Sequence, residues 1–114
     1  MTQFEEIFHA TNDGLKLYIR DYSGPRPDSP VLLCLHGLTR NSRDFHELAL
    51  RLKEDFRVLV PEQRGRGRSE YDDDPAQYKI MRYVADMRGL LDQLGIENVA
   101  IVGTSMGGLM TFAL

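Results

Sequence analysis

The sequence has little of what marks secreted, membrane-spanning or nucleic-acid-binding proteins. Its 114 residues include one cysteine, Cys34, which excludes an internal disulfide and fits a reducing compartment. No apolar run approaches the roughly 20 residues that cross a bilayer. The N-terminus has neither the basic nor the apolar segment of a secretory signal. The net charge of −3 gives no reason to expect nucleic acid or an anionic membrane as a partner. These absences predict a cytoplasmic protein with neither of those partners.

The N-terminal residues have the pattern of an antiparallel hairpin. Residues 4–9 are compatible with an edge strand, and Asn12-Asp13-Gly14 is a turn signal. Leu15, Leu17 and Ile19 then alternate with more polar neighbours. A period of two after such a turn indicates a hairpin with one face covered.

Three short apolar runs follow without alternation, at Val31–Leu35, 58–60 and 99–102. Continuous apolar runs are typical of parallel strands that are covered on both faces. Between these runs, apolar residues recur at helical spacing over 45–56 and over 80–94. Strands and helices therefore alternate, which predicts an α/β fold with a mostly parallel sheet and helices on both faces.

The third run leads directly into Gly103-Thr104-Ser105-Met106-Gly107, and a helical pattern follows at once. Strand, G-x-S-x-G and helix in immediate succession is the context of a nucleophile elbow, a strained turn that exposes the serine hydroxyl. A side chain at Gly103 or Gly107 would collide with neighbouring backbone, so both positions require glycine. The other interpretation is a plain glycine-rich connection, which two further motifs make less favourable.

Those two motifs follow the other predicted parallel strands. His36-Gly37-Leu38-Thr39 comes after the first strand, and Arg64-Gly65-Arg66-Gly67-Arg68-Ser69 comes after the second. Open α/β sheets bind ligands at the carboxyl ends of their strands, so the three motifs are expected to meet at one edge. A nucleotide-binding loop is disfavoured, because Glu70 replaces the third glycine of G-x-G-x-x-G and the elbow lacks a Lys-Ser/Thr pair.

On these motifs, the chain from about residue 14 onward resembles the N-terminal half of an α/β-hydrolase-fold serine hydrolase. The resemblance is to small esterases, enol-lactonases and carbon–carbon bond hydrolases, with H-G, R-G-x-G-x-S and G-x-S-x-G in order. It implies that Ser105 is the nucleophile. It also implies that the backbone N–H groups of Leu38 and Met106 form the oxyanion hole.

The same resemblance gives His36 and Gly37 supporting, structural places in the oxyanion loop. It places the catalytic base and acid beyond Leu114, so the residues present supply a nucleophile and an oxyanion hole only. His9 and His46 are interpreted as ordinary surface residues. We expect no cofactor and no metal ion.

One residue departs from the family pattern, since Glu62 stands where aspartate is usual, ahead of Arg64. We expect its carboxylate to anchor the loop through Arg64 and to take no part in catalysis. The acidic run Asp72-Asp73-Asp74 is interpreted as a solvated loop, because no complementary ligands have hard-cation spacing. Cys34 is interpreted as a buried small hydrophobe.

The final segment, 106–114, is a helical pattern of almost wholly apolar residues without a capping residue at its end. A helix this apolar must be buried, and little of the chain remains to bury it. We therefore expect residues 1–114 to be the N-terminal part of a single α/β-hydrolase domain, truncated after the elbow. Alone, this part is expected to be inactive and poorly stable, because its last helix and sheet edge lack their covering.

The expected function is hydrolysis of a small ester, lactone or activated carbon–carbon bond through an acyl-enzyme. The expected partners are a small-molecule substrate and the missing C-terminal part of the same fold. A serine at the elbow argues against haloalkane dehalogenases and epoxide hydrolases of this fold, which use aspartate there. The alternative is a non-catalytic binding or receptor protein, or an inactive fragment, on the same scaffold, because fold does not determine function.

Overall fold

The computed structural model describes residues 3–37 and 40–114. The described strands are β1 (Glu5–Ala10), β2 (Lys16–Tyr22), β3 (Val31–Leu35), β4 (Arg57–Pro61) and β5 (Val99–Gly103). The described helices are α1 (His46–Leu52), α2 (Ile80–Gln93) and α3 (Met106–Ala113), with 3₁₀ helices at Ser42–Phe45 and Pro75–Gln77. Within these residues, no helix combines the length and the apolar character needed to cross a membrane.

The five strands form one mixed sheet in the order β1-β2-β4-β3-β5. β1 and β2 form the predicted antiparallel hairpin, and β2 also pairs antiparallel with β4. β3 lies between β4 and β5 and is parallel to both. The apolar runs therefore correctly predicted the three parallel strands, and the N-terminal pattern correctly predicted the hairpin.

Helices cover both faces of the sheet, as the strand–helix alternation predicts. Leu33 and Leu35 of β3 pack in one core with side chains of α2 and α3. Leu32 and Cys34 point the other way, into a second core with side chains of the Ser42–Phe45 helix and α1. Cys34 is fully buried, as predicted, and that burial raises the pKa of its thiol to about 11.

The hairpin differs from its prediction in one respect, because β2 is buried on both faces. Leu17 and Ile19 belong to the core shared with α2 and α3. Tyr18 and Tyr22, on the opposite face, are at most 2% exposed. Tyrosine buries its ring while its hydroxyl keeps a polar partner, and the Tyr18 hydroxyl donates to Glu6 at 2.6 Å. An alternation that counts tyrosine as polar therefore misses the second buried face.

The last helix, α3, is buried on one side only. Met106 and Met110 lie in the core, at 4% and 0% exposure. Leu109 and Phe112 are 61% and 93% exposed, and β5 beside them forms an edge of the described sheet. Among the described residues, an apolar surface therefore remains along α3 and β5.

A buried cluster of charges ties the loop after β4 to α2 and to the hairpin turn. Arg64 is fully buried and donates two hydrogen bonds of 2.8 Å to the buried carboxylate of Asp86. It also donates to Asp13 and to Asp72. Burial lowers the pKa of Arg64, but the hydrogen bonds to Asp86 and Asp13 raise it by more, so the guanidinium stays charged.

This cluster corrects the prediction for the acidic run. Asp72 is not solvated in the predicted way, because its carboxylate lies 2.7 Å from the Arg64 guanidinium. Asp74 accepts a hydrogen bond from the backbone N–H of Ala76 and caps the short 3₁₀ helix. Asp73 is exposed, as expected for a surface loop.

Replacement of Arg64 by methionine removes both 2.8 Å hydrogen bonds from the buried carboxylate of Asp86 and leaves it only Arg82, at 3.2 Å. Breaking a buried ion pair by removing one member costs about 3–5 kcal/mol of unfolding free energy. We expect that loss for Arg64→Met when the full-length protein is unfolded with urea. The matched control is Arg26→Met, because Arg26 pairs with Asp28 where both side chains are largely exposed. Equal stability of the two variants would contradict the assignment.

Candidate active site

The described residues of the three sequence motifs lie at the carboxyl ends of adjacent parallel strands, as predicted. Leu35 of β3 pairs with Gly103 of β5 in parallel register, so the residues that follow each strand leave the sheet side by side. β4 flanks β3 on its other side, with Leu33 opposite Leu59. The loop after β4, which contains the motif at residues 64–69, therefore leaves the sheet at the same edge.

Ser105 occupies the bend between β5 and α3. Its backbone angles are φ 53° and ψ −111°, and it is the one non-glycine residue with positive φ among those described. A side chain in that region is strained, and such strain persists only where the surrounding structure enforces it. Ser105 is also exposed. The bend thus presents a serine hydroxyl at the surface, as an elbow requires.

Two glycines allow the bend, as the sequence predicts. A Cβ on Gly107 would lie 2.2 Å from the carbonyl oxygen of Leu35, and one on Gly103 would lie 2.5 Å from the Gly107 carbonyl carbon. The first turn of α3 thus rests directly on the ends of β3 and β5. The Thr104 N–H donates to the same Leu35 carbonyl at 3.1 Å, which fixes the start of the bend.

The loop after β3 lies beside the serine. A Cβ on Gly37 would be 3.7 Å from the Ser105 Cβ and 3.8 Å from the Thr104 carbonyl oxygen. Met106 is the first residue of α3, where backbone N–H groups have no partner within the helix. Leu38, the other predicted oxyanion-hole residue, lies outside the described residues. The structure therefore brings Gly37, Ser105 and Met106 together.

His36 is fully buried, and both ring nitrogens have backbone partners. Nδ1 lies 2.7 Å from the Gly37 carbonyl oxygen, and Nε2 lies 3.0 Å from the Gln63 nitrogen, whose N–H donates to it. This pattern selects the neutral tautomer with the proton on Nδ1. Burial lowers the pKa of His36 and outweighs the Gly37 hydrogen bond, which raises it. A neutral ring with both nitrogens occupied suits the predicted structural place.

The two other histidines are less exposed than predicted. His9 is 5% exposed, and its Nδ1 forms a hydrogen bond with the Gln93 side chain. His46 is half-buried, with Nδ1 2.8 Å from the Tyr22 hydroxyl. Both were interpreted as ordinary surface residues, and that interpretation is wrong, because the sheet and helices bring distant polar partners to them.

Glu62 anchors its loop, but not through Arg64 as predicted. Its buried carboxylate accepts the backbone N–H groups of Ser42 at 3.0 Å and Arg68 at 2.8 Å. A Cβ on Gly67 would lie 2.1 Å from the same carboxylate, so this glycine leaves room for it. One carboxylate thus joins the segment after β3 to the loop after β4. Arg64 bonds instead to the aspartates described above.

Ser105 opens on a cavity of about 280 Å³ between α2 and α3. Its walls include Tyr78, Ile80 and Tyr83 from the start of α2 and the segment before it, with Leu109 from α3. The Tyr83 hydroxyl accepts a hydrogen bond from Arg66 at 2.8 Å, which links this wall to the loop after β4. A mostly apolar recess beside an exposed nucleophile is suited to the non-reacting part of a small substrate.

Sequence reasoning missed the wall residues and the role of Asp86. A signal for Asp86 was present, since it lies at helical spacing with the apolar residues Tyr83, Met87 and Leu90. An aspartate on the apolar face of a helix requires a buried partner, and Arg64 is that partner. The cavity walls had no such signal, because apolar residues on α2 serve the core equally well.

A family model described as alpha/beta hydrolase fold matches residues 30–114. A 3-hydroxybutyrate-oligomer hydrolase of Cupriavidus necator is 47% identical over 82% of this chain and 31% of its own length. An enzyme of Siraitia grosvenorii named epoxide hydrolase 3 is 33% identical over 98% of this chain and 34% of its own.

A solved structure agrees with this match. The crystal structure of an alpha/beta hydrolase from Novosphingobium aromaticivorans has a TM-score of 0.93 and 50% sequence identity. The match covers 99% of this chain and 39% of that one. The chain spans about a third of the length of the curated relatives above.

Alanine at Gly107 tests the close approach that sets the bend. Its Cβ would overlap the Leu35 carbonyl, and such overpacking costs about 1–3 kcal/mol of unfolding free energy. The matched control is Gly108→Ala, whose Cβ would have its nearest neighbour at 3.7 Å. There the better helix propensity of alanine stabilises by up to about 1 kcal/mol. Urea unfolding of both variants checks the prediction. Equal changes in their unfolding free energies would refute it.

Proposed function

Because the chain belongs to the α/β-hydrolase fold family, we propose that it bears the nucleophile of a serine hydrolase. The substrate is a small ester, lactone or activated carbon–carbon bond compound, and the reaction passes through an acyl-enzyme on Ser105. The observation that carries the proposal is the exposed, strained Ser105 between Gly37 and an apolar cavity. If this position had only a structural role, glycine would serve it better, because glycine adopts a positive φ without strain.

The proposed reaction has two steps. A base removes the Ser105 proton, Oγ attacks the substrate carbonyl carbon, and the proton passes to the leaving group as its bond breaks. Water then attacks the acyl-enzyme and gives its proton to the same base. The base returns that proton to the Ser105 Oγ as the acyl–oxygen bond breaks, which releases the acid and regenerates Ser105. The backbone N–H groups of Leu38 and Met106 stabilise the oxyanion of both tetrahedral intermediates. The partial positive charge at the N-terminus of α3 favours the same negative charge.

We propose that the base and the acid come from parts of the protein outside residues 1–114. The three histidines of this chain are engaged elsewhere, since His36 uses both ring nitrogens on backbone groups. His9 bonds to Gln93, and His46 to Tyr22. The relatives above are about three times as long as the aligned part, which leaves room for further catalytic residues.

Hydrolase names among the relatives support the proposal without selecting one substrate. One name specifies 3-hydroxybutyrate oligomers and another an epoxide. Aspartate is the nucleophile in epoxide hydrolases of this fold, whereas this chain has Ser105. We therefore favour acyl transfer over epoxide opening.

Substitution of Ser105 by alanine in the full-length protein is expected to abolish hydrolysis of p-nitrophenyl esters and labelling by a fluorophosphonate probe. Both require an activated serine oxygen, whereas the fold does not. Ser23→Ala is the matched control, because Ser23 is also exposed but lies in the loop after β2, far from Ser105 in the sequence. Near wild-type turnover in Ser105→Ala would rule out this nucleophile. A folded wild-type protein that resists the probe would favour the non-catalytic binding scaffold.

Residues 1–114 expressed alone are expected to show no esterase turnover and no cooperative thermal unfolding. The base is missing, and Phe112 and Leu109 expose apolar surface that the longer protein would cover. Turnover and circular dichroism melting are compared with those of the full-length protein. Turnover by the short chain would place the base within it.

A further inference from the structure

A second cavity lies on the opposite face of the sheet from the Ser105 cavity. Its walls include Arg20 of β2, Ser42 and Arg43 of the 3₁₀ helix, and Arg68 of the loop after β4. None of its lining residues also lines the cavity beside Ser105. Whereas that cavity is mostly apolar, this one is dominated by donors and positive charge.

Arg20 is half-buried, and none of the described ion pairs includes it. Its described contacts include the Tyr22 hydroxyl at 3.4 Å, the His46 Nδ1 at 3.5 Å, and the Phe4 ring at 4.3 Å from its guanidinium carbon, and none of these groups is a carboxylate. Its Nε is buried and has no hydrogen-bond partner within the described structure. A partly buried guanidinium without a counter-charge is costly unless an anion completes it.

Ser42 contributes a second unsatisfied group to the same cavity. The residue is 1% exposed, and its Oγ has no hydrogen-bond partner among the described residues. Its backbone N–H is already used, since it donates to Glu62. Buried hydroxyl groups nearly always have a partner, so the free Oγ points to a ligand with an acceptor atom.

The charges around the cavity leave a positive excess. Three arginines face it, against the single carboxylate of Glu62, whose oxygens accept two backbone N–H groups. A further carboxylate, Glu6, pairs with Arg68 at the rim. Arg20 and Arg43 have no carboxylate partner among the described residues, so the excess is concentrated beside Ser42.

We propose that this cavity binds a phosphate group, held by the guanidinium groups of Arg20 and Arg43 and the hydroxyl of Ser42. Guanidinium groups bind phosphate through paired, charge-assisted hydrogen bonds. These donors come from two separate elements, the sheet and the 3₁₀ helix, which suits a tetrahedral anion better than a planar carboxylate. The proposal is independent of catalysis at Ser105.

The test is isothermal titration calorimetry of the full-length protein with sodium phosphate at constant ionic strength. We expect saturable binding that Arg20→Gln or Ser42→Ala weakens by about tenfold or more, the effect of losing a hydrogen bond to a charged group. Arg26→Gln is the matched control, since Arg26 is exposed and lies outside this cavity. Ser105→Ala is expected to bind phosphate as the wild type does, so failure of the proposed hydrolase leaves this result unaffected.

Two further titrations distinguish the source of the phosphate group and its shape. Tighter binding of methyl phosphate than of inorganic phosphate would assign the site to a phosphorylated metabolite, and the reverse order would assign it to free phosphate. Acetate is expected to bind more weakly than either. Absence of saturable phosphate binding by the folded wild type would overturn the proposal. So would equal binding of acetate, or an equal loss in Arg26→Gln.

Discussion

The close approach between the first turn of α3 and the carbonyl of Leu35 is the contact on which the site depends. Only glycine at 107 permits it, because any Cβ there would overlap the carbonyl oxygen. The helix consequently starts without a spacer after β5, and the chain must reverse within two residues. Ser105 occupies that reversal and takes the positive φ. This close approach of Gly107 to the Leu35 carbonyl therefore accounts for three features of the site: the backbone strain at Ser105, the exposure of its hydroxyl and the position of the Met106 N–H.

Buried polar groups, rather than apolar packing, hold the loops around the site. The carboxylate of Glu62 accepts N–H groups from both neighbouring segments, and Arg64 is enclosed by aspartates from the hairpin turn, its own loop and α2. Loops have few ladder hydrogen bonds, so their backbone donors need side-chain acceptors when they are buried. The loss of one such partner leaves a buried charge with fewer compensating contacts, which makes these loops sensitive to substitution.

The two faces of the sheet have different chemical character at this edge. On the α2 and α3 face, Ser105 opens on tyrosine, isoleucine and leucine side chains. On the opposite face, Arg20 and Ser42 have donors without partners. The difference has a local cause, since β3 is apolar throughout and β4 is apolar after Arg57, whereas β2 places Arg20 on the same face as Tyr18 and Tyr22. One sheet therefore carries two cavities at this edge, one mostly apolar and one lined by hydrogen-bond donors and positive charge.

The sequence by itself determined the order of strands and helices, the parallel core and the place of Ser105, because apolar periodicity and glycine spacing are local properties. That His36 is not the catalytic base stays a prediction, which the resemblance carried by its motif implies. The tertiary structure alone decided which partners Arg64, Glu62 and His9 have, since these contacts join residues far apart in the chain. A charged or polar side chain can find hydrogen-bond partners in many local arrangements. Only the fold selects which distant group lies within hydrogen-bonding distance of it.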